Sequence, residues 1–127
     1  MITLNEVTKT YPLGKESSVS ALHGVSLKIK KGEFMIIVGR SGSGKTTLLN
    51  LAAGLTRPTS GKILLDGTDL WTLTDQQQSH LRSQKFGFVF QFPSLLPSLT
   101  VQDNVILPTV FGLKKGPAQV HERALQL

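Results

Sequence analysis

The sequence predicts an α/β fold, and three observations lead to that prediction. Polar and apolar residues alternate as in strands over residues 2–11 and 19–29. A continuous apolar run, residues 34–38, is typical of a strand buried on both faces. After a glycine-rich turn the apolar spacing becomes helical and stops at Gly54, a residue suited to end a helix. We therefore expect antiparallel β-structure first, followed by a partly parallel sheet with helices.

The second half of the chain continues this pattern. Two more strands and three more helices are predicted: strands over 62–65 and 86–90, and helices over about 74–84, about 100–111 and from 117 onward. Thr74 opens its helix with capping-box spacing, Thr100 is a good N-cap, and Pro117 suits a first helical turn. The last helical pattern, through Val120 and Ala124, reaches no terminating residue, so we expect the chain to be part of a longer domain.

Composition excludes several classes of function. The 127 residues contain no cysteine, which excludes disulfides and thiolate metal sites. Lys and Arg number 14 against 8 Asp and Glu, but the basic residues are scattered, so we expect solvated surface and no nucleic-acid partner. No apolar run approaches the about 18 residues that a transmembrane helix requires. We expect any membrane association to be indirect.

Residues 39–46, GRSGSGKT, match the phosphate-loop pattern G-x-x-x-x-G-K-[ST], and they lie between a predicted strand and a predicted helix. Glycines adopt backbone angles closed to other residues, so successive N–H groups can surround a polyphosphate. The Lys45 ammonium would reach the β and γ phosphates, the Thr46 hydroxyl would ligate Mg²⁺, and Thr47 would contact a further phosphate. The predicted nucleotide-binding residues here are Gly39, Arg40, Ser41, Gly42, Ser43, Gly44, Lys45, Thr46 and Thr47.

A glycine turn that merely joins strand to helix is the structural alternative. It explains the glycines but not a lysine in the first helical turn, where the helix dipole disfavours a cation unless an anion is present. Asp66, at the end of ILLD, resembles a magnesium-holding carboxylate, but Gly67 follows it in place of a second acid. Turn sequences flank this segment, so we expect a hairpin arm there.

In this order, the elements resemble the ATP-binding subunit of ABC transporters over all 127 residues. The stretch EVTKTYPLG with ALHGVSLKIKKGEFMIIVG is similar to the family's antiparallel β-subdomain, and GFVFQFPSLLPSLTVQDNVILP to its strand, Q-loop and first helix of the helical subdomain. The resemblance implies the N-terminal part of one P-loop NTPase domain. Its predicted layout is β-subdomain and core strand (1–38 and 60–72), P-loop and helix (39–54), strand and Q-loop (86–98), and start of the helical subdomain (99–127).

The resemblance also implies roles for two residues outside the glycine loop. Tyr11 would stack on adenine, and Gln91 would reach Mg²⁺ or the attacking water. The implied catalytic residues are thus Lys45 and Gln91, and the implied metal ligands Thr46 and Gln91. Within the family, exporters of the lipoprotein-releasing and macrolide-efflux type are most similar.

Three parts of the family's hydrolytic machinery do not occur in these residues: the LSGGQ-like signature loop, the carboxylate strand with its catalytic glutamate, and the switch histidine. His23, His80 and His121 fall in other segments and are expected at the surface or in packing. The resemblance therefore implies ATP and Mg²⁺ binding, with negligible turnover by this chain alone.

For the complete domain, the resemblance implies an ATP hydrolase that drives export. Its partners would be transmembrane permease subunits and a second ATP-binding domain, at the cytoplasmic face of the membrane. The alternatives are another P-loop NTPase, either a soluble kinase or GTPase, or a nucleotide-dependent nucleic-acid module. A guanine-reading N-K-x-D motif and a late cluster of basic lid residues are both absent from the sequence.

Overall fold

The computed structural model describes residues 1–91, 95–110 and 117–126. They divide into two compact units, Met1–Thr74 and Asp75–Leu127. Among the helices described, none combines the length and apolar character needed to cross a bilayer.

The first unit is built on a four-stranded antiparallel sheet. Its strands are β1 (Ile2–Leu13), β2 (Ser17–Ile29), β3 (Ser60–Leu65) and β4 (Thr68–Asp69), and their order in the sheet is β2-β1-β3-β4. The pairing of β1 with β2 and with β3 is antiparallel throughout. The three strands predicted at 2–11, 19–29 and 62–65 are confirmed, each with slightly wider bounds.

An irregularity in β1 places two core residues on the same face. Leu4 and Val7 are both fully buried although they are three residues apart, a spacing that a regular strand would send to opposite faces. The register shifts between them, where Glu6 has a φ of 48°. Gly61 of β3 lies against this bulge, since a Cβ on Gly61 would come within 2.4 Å of the Glu6 carbonyl oxygen. Only glycine allows so close an approach.

One helix of the first unit packs its last turn into the core. Helix α1 (Lys45–Ala52) buries Leu51 completely. Gly54, with a φ of 65°, then reverses the chain and donates its N–H to the Leu51 carbonyl at 3.0 Å. The predicted helix and its glycine stop are confirmed.

The described part of the second unit contains three helices, α2 (Asp75–Lys85), α3 (Val101–Val110) and α4 (Pro117–Ala124). Thr100 caps α3 as predicted, accepting a hydrogen bond from the Asp103 N–H at 3.1 Å while Asp103 accepts one from the Thr100 N–H at 3.3 Å. Pro117 is the first residue of α4, also as predicted. The predicted end of α3 at Phe111, the residues 92–94 of the Q-loop stretch, and Leu127 lie outside the described residues.

Two segments predicted as buried central strands are not strands in this chain. Residues 34–38 and 86–90 have no strand assignment. Phe34, Ile36 and Val38 are 87%, 70% and 83% exposed, and Val89 is fully exposed. The prediction of two buried strands was therefore wrong for these residues.

The side chains nevertheless keep traces of strand alternation, since residues 34–38 alternate between exposed and half-buried. The rings of Phe86, Phe88 and Phe90 stack in succession, with centroids 6.2 and 5.9 Å apart, as side chains two residues apart in an extended chain can do. What the segments lack is a neighbour, because a central strand needs hydrogen-bonding partners beside it and cover on its faces. The described sheet supplies neither, so local pattern alone does not make these segments strands.

The exposed apolar row Phe34, Ile36 and Val38 predicts self-association, because unpaired extended backbone with apolar side chains is a template for edge pairing. We expect Ile36→Lys to lower the weight-average mass in sedimentation velocity relative to the unsubstituted chain at the same concentration. Leu13→Lys is the control, since Leu13 is similarly exposed at 64% but ends a paired strand. Equal effects of the two substitutions would show that added charge, and not this segment, controls association.

Candidate nucleotide-binding site

The glycine loop, residues 39–44, connects the extended segment 34–38 to α1. Gly42 and Gly44 have φ values of 78° and 87°, in the left-handed region that other residues rarely adopt. The Ser43 N–H donates to the Arg40 carbonyl at 3.2 Å and closes the turn. The loop therefore adopts, at Gly42 and Gly44, the left-handed backbone conformation that the glycines in the sequence predicted.

Gly44 joins the loop to the sheet by a very close contact. A Cβ at Gly44 would lie 2.5 Å from the Ala21 carbonyl oxygen of β2 and 3.1 Å from a methyl group of Leu22. Ala21 is the residue skipped where the register changes, because Lys9 pairs with Leu22 and Thr10 with Ser20. A bulge bends its strand locally. The N-cap of α1, Gly44, thus packs directly against the β2 bulge at Ala21.

The Lys45 ammonium is held by the loop itself. It donates to the Gly39 carbonyl at 2.9 Å and to the Arg40 carbonyl at 2.7 Å, so the side chain spans the loop from the helix back to its beginning. An ammonium has three donors. Two of them are engaged with neutral carbonyls, which are weaker partners for a cation than a phosphate oxygen.

Positive potential is concentrated at the N-terminus of α1. Gly44 is the N-cap and no side chain caps it, while the first turn contains no acidic residue. The N–H groups of a first helical turn have no partner within the helix, and the helix dipole adds positive potential there. Lys45 adds a full positive charge at the same place. Thr46 is exposed and Thr47 half-buried in this turn, so hydroxyl oxygens are available beside the N–H groups.

Tyr11 lies on the same part of the sheet as the loop. It pairs with Val19 of β2, two residues from Ala21, and is 38% exposed. Tyr11 of β1 and the glycine loop therefore both lie beside one short stretch of β2, residues 19–21.

Gln91 belongs to the other unit. It is exposed and directly follows the extended segment 86–90. Its proposed contact with Mg²⁺ or water stays a prediction.

Asp66 and the histidines take the structural positions expected of them. Asp66 lies in the turn between β3 and β4 and accepts a hydrogen bond from the N-terminal ammonium at 2.6 Å. His23 is exposed and within 3.3 Å of the Ser20 hydroxyl, and His80 and His121 are exposed. Among the residues described, no group of three or more His, Cys, Asp or Glu forms a metal cluster.

Sequence reasoning missed two features of this site. One is the clamp between Lys45 and the loop carbonyls, which depends on the loop's closed turn. The other is Lys9, whose ammonium lies 4.9 Å from the centre of the Tyr11 ring. The spacing of Lys9 and Tyr11, two residues apart in a predicted strand, was the available signal.

Comparison with known proteins agrees with this architecture. The profile of a family described as "ABC transporter" matches residues 22–127. The chain is 37% identical, over its whole length and 56% of the relative's, to the lipoprotein-releasing system ATP-binding protein LolD 1 of Rhodopseudomonas palustris. It is 48% identical to the macrolide export ATP-binding/permease protein MacB of Syntrophobacter fumaroxidans, over 88% of this chain and 16% of that protein.

Solved structures agree as well. The dimeric ATP-binding cassette MJ0796 in a post-hydrolysis state bound to ADP and Pi matches with a TM-score of 0.89 and 42% identity, over 99% of this chain and 55% of that one. The fold is therefore that of an ATP-binding cassette. The chain belongs to the ABC transporter family, which confirms the predicted resemblance and fold class. It spans about half the length of LolD 1 and of the solved cassette.

The contact between Gly44 and Ala21 predicts an unusual cost for a methyl group. We expect Gly44→Ala to lower the free energy of unfolding by roughly 1–3 kcal/mol more than Gly14→Ala, because of these two positions only Gly44 has backbone atoms where the Cβ would lie. Gly14 has a similar φ of 77° and nothing within 4 Å of its Cβ, so it isolates the conformational strain. Urea unfolding followed by Trp71 fluorescence measures both. Equal losses would show that α1 does not depend on this contact.

Proposed function

We propose that this chain binds the triphosphate of ATP together with Mg²⁺ through residues 39–47, and that in a complete cassette this binding supports ATP hydrolysis that drives export across a membrane. The observation that carries the proposal is the N-terminus of α1. It has no side-chain cap, no acid in its first turn, and a lysine held across the loop by two neutral carbonyls.

The phosphates would bind where this positive potential is concentrated. Main-chain N–H groups of the loop and first turn would donate to phosphate oxygens, as at other helix N-termini that bind phosphate. The Lys45 ammonium would exchange its carbonyl partners for β- and γ-phosphate oxygens, since a charge-assisted hydrogen bond is the stronger one. Thr47 would donate its hydroxyl to a further phosphate oxygen.

The donor set suits magnesium held mainly by phosphate and water. Mg²⁺ usually keeps several waters and takes few protein ligands when phosphates are present. The exposed Thr46 hydroxyl is the ligand that this loop offers. When bound, Mg²⁺ neutralises charge on the β- and γ-phosphate oxygens.

Two more residues complete the proposed site. Tyr11 would stack on adenine, and Gln91 would orient water or reach Mg²⁺. Neither replaces the carboxylate strand and signature loop that the sequence lacks, so this chain should bind nucleotide with negligible turnover.

The transport part of the proposal rests on relatives. One is an ATP-binding protein of a lipoprotein-releasing system, another a macrolide export ATP-binding/permease protein, and the solved cassette is dimeric. By analogy, the complete cassette would pair with a second one and act on permease subunits at the cytoplasmic face of the membrane. Family membership favours this function over a soluble kinase, a GTPase or a nucleic-acid module.

Lys45→Ala tests the phosphate site. We expect it to weaken binding of a ribose-labelled fluorescent ATP analogue, with Mg²⁺ present, by at least about 10- to 100-fold, because the hydrogen bonds of the ammonium to charged phosphate oxygens are lost. Lys28→Ala is the matched control, removing the same charge from an exposed position on β2. Equal affinities of the two variants would refute the role given to Lys45.

Thr46→Ala tests the magnesium ligand. We expect it to remove most of the gain in affinity that Mg²⁺ produces, while affinity measured in EDTA stays near that of the unsubstituted chain. Thr46→Ser keeps the hydroxyl and should keep the magnesium dependence. If Thr46→Ala and Thr46→Ser respond to Mg²⁺ alike, the hydroxyl is not a ligand.

A further inference from the structure

Lys9 occupies an unusual position for a lysine on a sheet. It is half-buried, and its ammonium donates to the Arg57 carbonyl at 2.7 Å while lying 4.9 Å from the centre of the Tyr11 ring. A cation at this distance from an aromatic face is attracted to the ring quadrupole. The ammonium is thus fixed at two points, one of them the residue expected to stack on adenine.

The carbonyl that holds Lys9 belongs to a well-anchored segment. Residues 57–59 run beside β1, where the Thr59 N–H donates to the Thr8 carbonyl at 2.9 Å and the Thr10 N–H to the Thr59 hydroxyl at 3.0 Å. The Arg57 guanidinium turns to Trp71, 5.9 Å from the ring centre. Hydrogen bonds on both sides of Lys9 therefore keep the Arg57 carbonyl in place, and the ammonium cannot move far from it without losing that partner.

We propose that Lys9 is a positioning residue for the base-binding end of the site: its ammonium covers one face of Tyr11 and holds the ring so that the opposite face receives a purine. This inference rests on the proposed function. A tyrosine ring on a strand is free to change rotamer, and ordering it during binding costs affinity. Lys9 would order the Tyr11 ring already in the nucleotide-free chain, so that less conformational freedom is lost on binding.

Lys9 should affect binding of the base and leave binding of the phosphates unchanged. The Lys9 ammonium is engaged with the Tyr11 ring and the Arg57 carbonyl, neither of which belongs to the glycine loop, so its effect should appear only for ligands that carry a base. Inorganic tripolyphosphate has the phosphates without the base, and it therefore serves as the reference ligand. Loss of a cation–π contact at a partly exposed site corresponds to about a two- to five-fold change in affinity.

The experiment measures displacement of the ribose-labelled ATP analogue by ATP and by tripolyphosphate, with Mg²⁺, from the full chain. Lys9→Met keeps the length of the side chain without its charge, and we expect ATP to bind about two- to five-fold more weakly with tripolyphosphate unchanged. Lys9→Arg restores a cation and should restore ATP affinity. In a Tyr11→Leu background, Lys9→Met should have no further effect on ATP.

A folding defect in a variant is distinguished from a change in its nucleotide affinity. Trp71 is the sole tryptophan in the sequence, so its fluorescence melt shows whether each variant folds. Should Lys9→Met not fold, Lys9→Gln retains a donor for the Arg57 carbonyl and predicts the same selective loss.

Equal losses for ATP and tripolyphosphate, or no loss for either, would overturn the inference alone. If the unsubstituted chain binds neither ligand, the proposed function fails and the inference with it.

Discussion

The close contact between Gly44 and the Ala21 carbonyl is the constraint on which the candidate site depends. It is possible only because residue 44 has no side chain and because the bulge in β2 releases Ala21 from regular pairing. Through it, the antiparallel sheet determines where α1 begins. The glycine loop contacts β2, and Tyr11 of β1 pairs with the same part of β2, so a shift in the register of β1 and β2 would move both ends of the proposed nucleotide site.

Electrostatics at the helix N-terminus explain why the loop is built this way. Two positive contributions, the helix dipole and the Lys45 ammonium, are placed together with no acid in the first turn. The loop carbonyls at Gly39 and Arg40 partly compensate the ammonium. They are neutral, so the site keeps net positive potential, and in the proposed function a polyphosphate would displace them. Lys9 is held in a similar way. Its ammonium donates to the Arg57 carbonyl and at the same time lies over the Tyr11 ring.

The local elements were predictable to a large extent. Alternation predicted β1, β2 and β3, the capping residue Thr100 predicted the start of α3, and the glycine pattern predicted the turn that leads into α1. The prediction failed for segments 34–38 and 86–90 because an apolar run reports a preference for burial, and burial depends on what lies beside the run. The relatives extend well beyond this sequence, which covers 55% of the solved cassette. The described residues offer these runs no sheet neighbour.

The sequence by itself determined the glycines, the lysine and the hydroxyls of the loop, because phosphate recognition demands those residue types at those spacings. It also determined the family, which three separate stretches carry. Only the tertiary structure decided that Gly44 meets Ala21, that Lys45 bridges the loop carbonyls, and that Lys9 reaches both Arg57 and Tyr11. These contacts join residues distant in the chain or depend on a bulge, and no local pattern specifies where two such backbones meet.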